Sequence, residues 1–414
     1  MQAAMARSLE HLPGFKGISD TALVGLLKRI KEQPEIAEQF SHKRKVDEAH
    51  KALQRETMTT LALPRRRGQP FEWAVARAGR LLAYAIRVSP GFEKLVRLTH
   101  ERTPSTYEMP WRAIIYFDEL IPGAVLALQP RRKFGVFYMS FAEFEAFLLL
   151  GEAWLCIGVM RSNEVKAVLG GWSAVTRQLL RHTFLGDEGL ATLGFLVAGA
   201  GDPCRLFAKP KYTLADEDAH KKMLDIKGAS GLIVCLKCKN ITHNLEYSRA
   251  SRYLQHTSCS VFRRFDLCTT QTYTDRVGEL EQMIANHAGK GQVHDREMEF
   301  GMNYNPRGIL ADRELCELME PTEGALVDPM HTSYSDGTLS VELRLFMNAA
   351  KGHGVTWDHF KMMLSARWNW PHVFAKDATA AVKDCFNDTR RKASDDAFKG
   401  QAKDCDAPPL HNAT

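Results

Sequence analysis

Two groups of residues in this chain have types and spacings suited to chemistry. Cys235 and Cys238 form a Cys-x-x-Cys pair, and His256 and Cys259 form a His-x-x-Cys pair further along. Two such knuckles supply four tetrahedral donors to Zn2+, because each short spacing lets one turn aim two side chains at a single ion. Four protein ligands leave no open coordination position, so a zinc ion held this way is structural. His243 and Cys268 compete for places in the set, and plain burial of Cys235 and Cys238 as small residues is the alternative. The second group is acidic: Asp118, Asp216, Asp328 with His331 in an Asp-x-x-His sequence, and Glu342. Carboxylates drawn together from distant points of a chain hold the two Mg2+ or Mn2+ ions that commonly run phosphodiester hydrolysis and transfer. Each acid alone has a plainer use: Asp118 can order a turn with Pro122 and Gly123, Asp216 can cap a helix, and Glu342 can be an exposed helical residue.

A sheet is needed to bring those acids together. The segment Trp111-Arg112-Ala113-Ile114-Ile115-Tyr116-Phe117 is almost continuously apolar and β-favouring, as expected of a central strand covered on both faces, and it runs into Asp118 and Glu119. Strands predicted over Gly135–Phe141 and Ala153–Met160 complete a meander, with Arg131, Arg132 and Lys133 in a connection. A fourth strand, over Arg205–Leu214, leads into Asp216-Glu217-Asp218-Ala219-His220-Lys221-Lys222, acids before bases as at the start of a helix. Helices are predicted over Ser19–Ile30, Trp73–Arg87, Arg276–Ala288 and Thr338–Ala350. The Gly- and Asn-rich stretch 289–308 reads as loop.

The 414 residues, at roughly 100 to 200 per domain, suggest two to four structural units. A content of 45% hydrophobic and 25% charged residues excludes a disordered polymer and a fibrous repeat. Three segments are expected: a basic helical region over 1–105, a core over 106–375 with the cysteine-bearing insertion at 231–270, and a charged, partly disordered tail over 376–414. Fifty-five Lys plus Arg against 49 Asp plus Glu gives a net charge of +6, which permits a polyanionic partner. The charge falls in short runs, among them Arg65-Arg66-Arg67, Arg131-Arg132-Lys133 and Arg263-Arg264, suited to phosphate neutralisation, although each run alone is more often a solvated surface. Nine cysteines are too few for a disulfide-dense scaffold and odd in number, so reduced thiols or metal ligands are expected. The N-terminus lacks the apolar core of a secretory signal, and the most apolar stretch, Phe141–Met160, is interrupted by Glu143, Glu145 and Glu152. A soluble, unsecreted protein with no membrane partner is the expectation.

The order of these features carries a resemblance. Phe117-Asp118-Glu119 with Pro122-Gly123 and Arg131-Arg132-Lys133-Phe134, then Asp216 through Lys227-Gly228-Ala229-Ser230-Gly231 to Cys235-x-x-Cys238, and finally Asp328-Pro329-Met330-His331, resemble the core of eukaryotic cut-and-paste DDE transposases of the CACTA and related superfamilies. The likeness covers residues 70–375. It implies a ribonuclease-H-like α/β fold: a mixed sheet flanked by helices, with a zinc-knuckle insertion. Asp118 and Asp216 would be the first and second metal-binding acids, and Glu342 the third. Asp328 and His331 would support the active site or contact the DNA end. The partner implied is double-stranded DNA, specifically transposon ends, in the nucleus, and a homo-oligomer is compatible with it. Arg65, Arg66, Arg67, Arg131, Arg132 and Lys133 are the candidate DNA contacts. No N-terminal zinc finger or helix-turn-helix is recognisable, so the module that reads terminal repeats is either the basic helical region or absent; a zinc-stabilised, transposon-derived DNA-binding or interaction protein without catalysis is the second expectation. An unrelated α/β protein with turn acids is the third.

Overall fold

Strands form where apolar side chains alternate with polar ones or run unbroken between turns. The computed structural model describes residues 51–120, 133–197 and 203–328, with a few positions between 346 and 366. The chain divides into two units, Met1–Asp328 and Pro329–Thr414, and every element named here lies in the first. β1 (Met58–Leu63) and β2 (Phe71–Ala76) form an antiparallel hairpin, and β3 (Trp111–Leu120), β4 (Phe134–Phe141) and β5 (Leu155–Arg161) form a meander. A separate short hairpin joins β6 (Phe195–Val197) to β7 (Cys204–Leu206), and β8 (Ala208–Ala215) follows it. In the cysteine-bearing insertion, β9 (Ile241–Thr242) pairs with β10 (Gln255–His256); β11 (Ala325–Val327) comes last.

One seven-stranded mixed sheet takes the order β1-β2-β5-β4-β3-β8-β11. β8 lies parallel to β3 on the side away from β4, and β11 lies parallel to β8. The helices around it are α1 (Ala78–Val88), α2 (Pro90–Arg102), α3 (Gly171–Leu180), α4 (Glu217–Leu224), α5 (Thr270–Ala285), α6 (Lys290–Phe300) and α7 (Arg313–Met319). The fold is therefore α/β, and the predicted meander and fourth strand lie where the β-favouring runs of the sequence placed them, within a few residues.

β3 is central because alternate residues Trp111, Ala113, Ile115 and Phe117 are all buried on one face. Phe117 stacks on Phe137 with ring centroids 4.6 Å apart, and Trp172 of α3 lies 5.0 Å from Phe117. Gly135 makes this approach feasible: a Cβ there would stand 2.4 Å from Cη2 of Trp172. α3, between β5 and β8, turns Trp172, Val175 and Leu179 inward at helical spacing. Truncating one of these aromatics to alanine costs about 3–5 kcal/mol in a core of this density.

Two expectations are corrected. Residues 73–87 do not form one helix: Trp73 and Val75 are buried while Glu72 and Ala74 are exposed, a period of two, so 71–76 is a strand and the helix begins at Ala78. Val75 pairs with Gly158 of β5, and Trp73 Nε1 donates to Val159 O at 2.9 Å. The described part of 1–105 therefore adds two strands to the sheet of the core instead of forming a separate helical region. Residues 289–308 contain the helix α6; Gly289 and Gly301 stand at its ends, where Gly301 adopts φ 68° as the C-cap. The predicted helices Ser19–Ile30 and Thr338–Ala350, and the tail 376–414, lie outside the described residues or almost so. Among the described residues no helix is long and apolar enough to cross a membrane.

Candidate functional site

Three parallel strands deliver acids to one edge of the sheet. In the β3–β8 ladder Tyr116 stands opposite Leu214, so Asp118 and Asp216 each lie two residues further along neighbouring chains that run in the same direction. Adjacent strands are about 4.8 Å apart. In the β8–β11 ladder Val327 stands opposite Ala215, and Asp328 N donates to Ala215 O at 2.9 Å. Asp118, Asp216 and Asp328 thus emerge side by side at the carboxyl ends of β3, β8 and β11, the edge at which open α/β sheets bind ligands.

Local structure fixes two of these side chains. Asp216 is the N-cap of α4, its Oδ1 accepting from Ala219 N at 2.6 Å, so the helix that leaves the sheet orients the carboxylate. Asp328 is buried, and Tyr116 OH donates to its Oδ2 at 3.4 Å. Tyr116 shares a strand face with Asp118, and burial pushes its hydroxyl well above the usual phenol range, with Asp118, Asp328 and Asp216 adding to the shift. All three carboxylates therefore act electrostatically on one phenol. His220, a turn into α4, is buried beside β11: its Nε2 lies 3.0 Å from Leu326 O, two residues before Asp328. Burial lowers its pKa, favouring the neutral ring, and its Nδ1 has no hydrogen-bond partner.

The opposite face of β3 is neutralised. Glu119 takes hydrogen bonds from Ser162 Oγ at 2.9 Å, from Lys133 Nζ at 2.9 Å, and from Lys222. Burial works to raise its pKa, but the bonds from Lys222 and Lys133 prevail and hold it below the usual carboxylate range. Lys133, expected on DNA phosphate, is thus committed to an internal ion pair. Arg65 is likewise engaged, 2.7 Å from Glu164 Oε2 and over the ring of Phe71. Arg66 and Arg67 are exposed, while Arg131 and Arg132 lie outside the described residues, as do His331 and Glu342.

In the insertion, the Cys235–Cys238 turn is laddered against residues 266–268. Cys268 N donates to Lys237 O and Lys239 N to Asp266 O, both at 2.8 Å. Burial and the neighbouring Cys235 push the Cys238 thiol up, with Cys268 contributing. The cysteine whose backbone ladders against this turn is therefore Cys268, the competing ligand. His256 and Cys259 do form a turn, Cys259 N donating to His256 O at 2.8 Å, but His256 Nδ1 is 2.7 Å from Ser258 Oγ. Among the described residues no group of three or more His, Cys, Asp or Glu side chains is disposed to hold a metal ion.

Asp118 and Asp216 stand at strand ends, as the sequence predicts, whereas Asp328, expected in a supporting position, follows a strand as well. The missing signal was β11: Ala325-Leu326-Val327 is too short for periodicity to mark it. Nothing local in the sequence marks Tyr116 or His220: one is part of an apolar run, the other one residue of a helix start. Comparison of the chain with protein-family models and with curated proteins gives no match to either.

Proposed function

We propose that the chain is a transposase-like protein on a ribonuclease-H-like core, cutting and joining DNA strands at Asp118 and Asp216. The observation that carries this reading is the row of acids at the carboxyl ends of β3, β8 and β11, on a sheet whose meander is extended by two parallel strands beyond its first strand. A meander with a first acid on its first strand and a second acid after the fourth is the arrangement of that fold. In the reaction, water adds to phosphorus and the 3′ oxygen leaves, giving a 3′-hydroxyl and a 5′-phosphate. The new 3′-hydroxyl then attacks a phosphorus of target DNA and displaces its 3′ oxygen. The expected substrates are double-stranded transposon ends, and the nucleus is the expected compartment.

Carboxylate oxygens are hard donors that suit Mg2+ or Mn2+. Asp118 and Asp216 would hold the ions; when bound, these supply charge to activate the attacking oxygen and to stabilise the leaving one. The chain's own contribution is orientation. Ala219 N fixes one oxygen of Asp216, Tyr116 holds Asp328, and the contact of His220 with Leu326 O secures the strand from which Asp328 emerges. In the insertion, thiolates suit Zn2+, and Cys235 and Cys238 would hold it, with Cys268, whose backbone ladders against their turn, as the third donor.

A second reading, a DNA-binding protein without catalysis, is favoured by one observation. Asp216 and Asp328 serve structural bonds, and the described acids form no three-ligand group. Full-length protein with Mn2+ and DNA carrying terminal inverted repeats separates the two: nicking is expected, and Asp118→Ala or Asp216→Ala should abolish it. Nicking that survives both substitutions refutes the catalytic reading.

A further inference from the structure

The cysteine-bearing insertion carries a cleft of about 470 Å³ whose lining includes Arg252, Tyr253, Gln255, Arg263 and Arg264. Its walls come from two separate stretches of chain, 252–255 and 263–266, and one buried side chain joins them. Asn240 Nδ2 donates to Tyr253 O at 3.1 Å and to Arg264 O at 2.8 Å, while its Oδ1 accepts from Asp266 N at 2.8 Å. Asn240 O accepts from Gln255 N at 2.8 Å. Four bonds from one residue hold the walls at a fixed separation, so the cleft is formed before anything enters it.

Charge and aromatic surface meet there. Asp266 is the single carboxylate in the lining, and it is taken up by Tyr253 OH at 2.8 Å and Lys239 Nζ at 3.4 Å. No ion pair among the described residues takes up Arg252, Arg263 or Arg264, and all three are exposed. Tyr253 in the lining is 50% exposed; Phe262, at the rim just before Arg263, is 71% exposed and stands edge-on to the lining Phe265 at 6.0 Å.

We propose that this cleft binds a nucleic-acid strand with unpaired bases, its phosphates on Arg252, Arg263 and Arg264 and its bases against Phe262 and Tyr253. Free guanidinium groups alone would serve any polyanion. The exposed rings select among them, because an aromatic face gains from a base only when that base is out of its duplex stack, and an acidic peptide leaves the rings unused. The inference rests on reading the chain as DNA-handling, but none of its residues belongs to the acidic edge.

The test is fluorescence anisotropy of the full-length protein, without added divalent ions, on labelled oligothymidylate and on a duplex of equal length. Oligothymidylate should bind more tightly. Arg263→Gln with Arg264→Gln should lower the slope of log affinity against log salt by about 1.4, at about 0.7 per phosphate contact on single strands. Phe262→Ala should weaken binding about tenfold and leave that slope unchanged. All three side chains are exposed, so the variants keep the fold. Equal or tighter binding of duplex, a salt slope unmoved by the double substitution, absence of oligothymidylate binding, or equal competition by polyglutamate would overturn the proposal. Asp118→Ala should bind oligothymidylate like the parent. If nicking needs Asp118 while the arginine variants bind normally, the cleft proposal alone falls. If the cleft behaves as expected and nicking ignores Asp118, the catalytic reading alone falls.

Discussion

Asp225 closes α4 with its carboxyl group buried among neutral partners. Asn305 Nδ2 donates to Oδ2 at 3.0 Å, the Ser173 hydroxyl donates as well, and Ser173 Oγ in turn accepts from Ile309 N at 3.1 Å. Burial outweighs those two bonds and pushes the carboxyl up from its ordinary value of 3.8 to about 7. An acid whose folded pKa is raised ionises more readily in the unfolded chain. It therefore costs stability as pH climbs through the interval between the two values and adds no further cost above the upper one. At 1.36 kcal/mol per unit the full cost is about 4 kcal/mol, of which about 2.5 kcal/mol develops between about pH 5 and pH 7.5. Asp225→Asn removes the titration, keeps the shape and tolerates the left-handed backbone at φ 54°. Urea unfolding followed by tryptophan fluorescence, run on both proteins across this range, isolates the group because the other titrations cancel in the difference. The variant should gain on the parent by about 2.5 kcal/mol from pH 5 to pH 7.5. A difference that stays level across that range would refute the account of Asp225 as a buried carboxyl without a compensating cation.

Gly324 is the second position with a definite expectation. A Cβ there would fall 2.0 Å from Lys211 O, and Gly324 O accepts from Thr213 N at 3.0 Å, so Gly324→Ala must push β11 away from β8. A loss of about 1–3 kcal/mol in urea unfolding is expected, with a matching fall in any Mn2+-dependent nicking. Gly291→Ala, where nothing lies within 4 Å, should cost no stability. For the thiols, protein purified without chelators should carry about one zinc ion per chain by elemental analysis. Cys268→Ser should release it and Cys259→Ser should not; the reverse outcome restores the His256–Cys259 knuckle as the partner of Cys235 and Cys238.

Much of the sheet was legible because its signals are local. The unbroken run from Trp111 to Phe117 marks a central strand, and the apolar, aromatic-rich run in 135–141 marks its antiparallel neighbour. Legibility failed where an element was short or its period ambiguous: β2 was absorbed into the helix that follows it, and β11 has three residues. It failed again where a side chain's use depends on a distant partner. Arg65 and Lys133 look like free positive charge in the sequence, yet Glu164 and Glu119 occupy them.

The amino-acid sequence by itself determined that Asp118 and Asp216 follow strands and which thiols sit in a tight pair, since strand period, helix capping and a two-residue spacing act over a few neighbouring positions. Tertiary structure alone decided that Asp118, Asp216 and Asp328 share one edge, that residues 266–268 ladder against the Cys235–Cys238 turn, and that Asn240 binds together the walls of an arginine-lined cleft. Those outcomes rest on parallel pairing between strands nearly a hundred residues or more apart in sequence, and on hydrogen bonds whose partners no local pattern specifies.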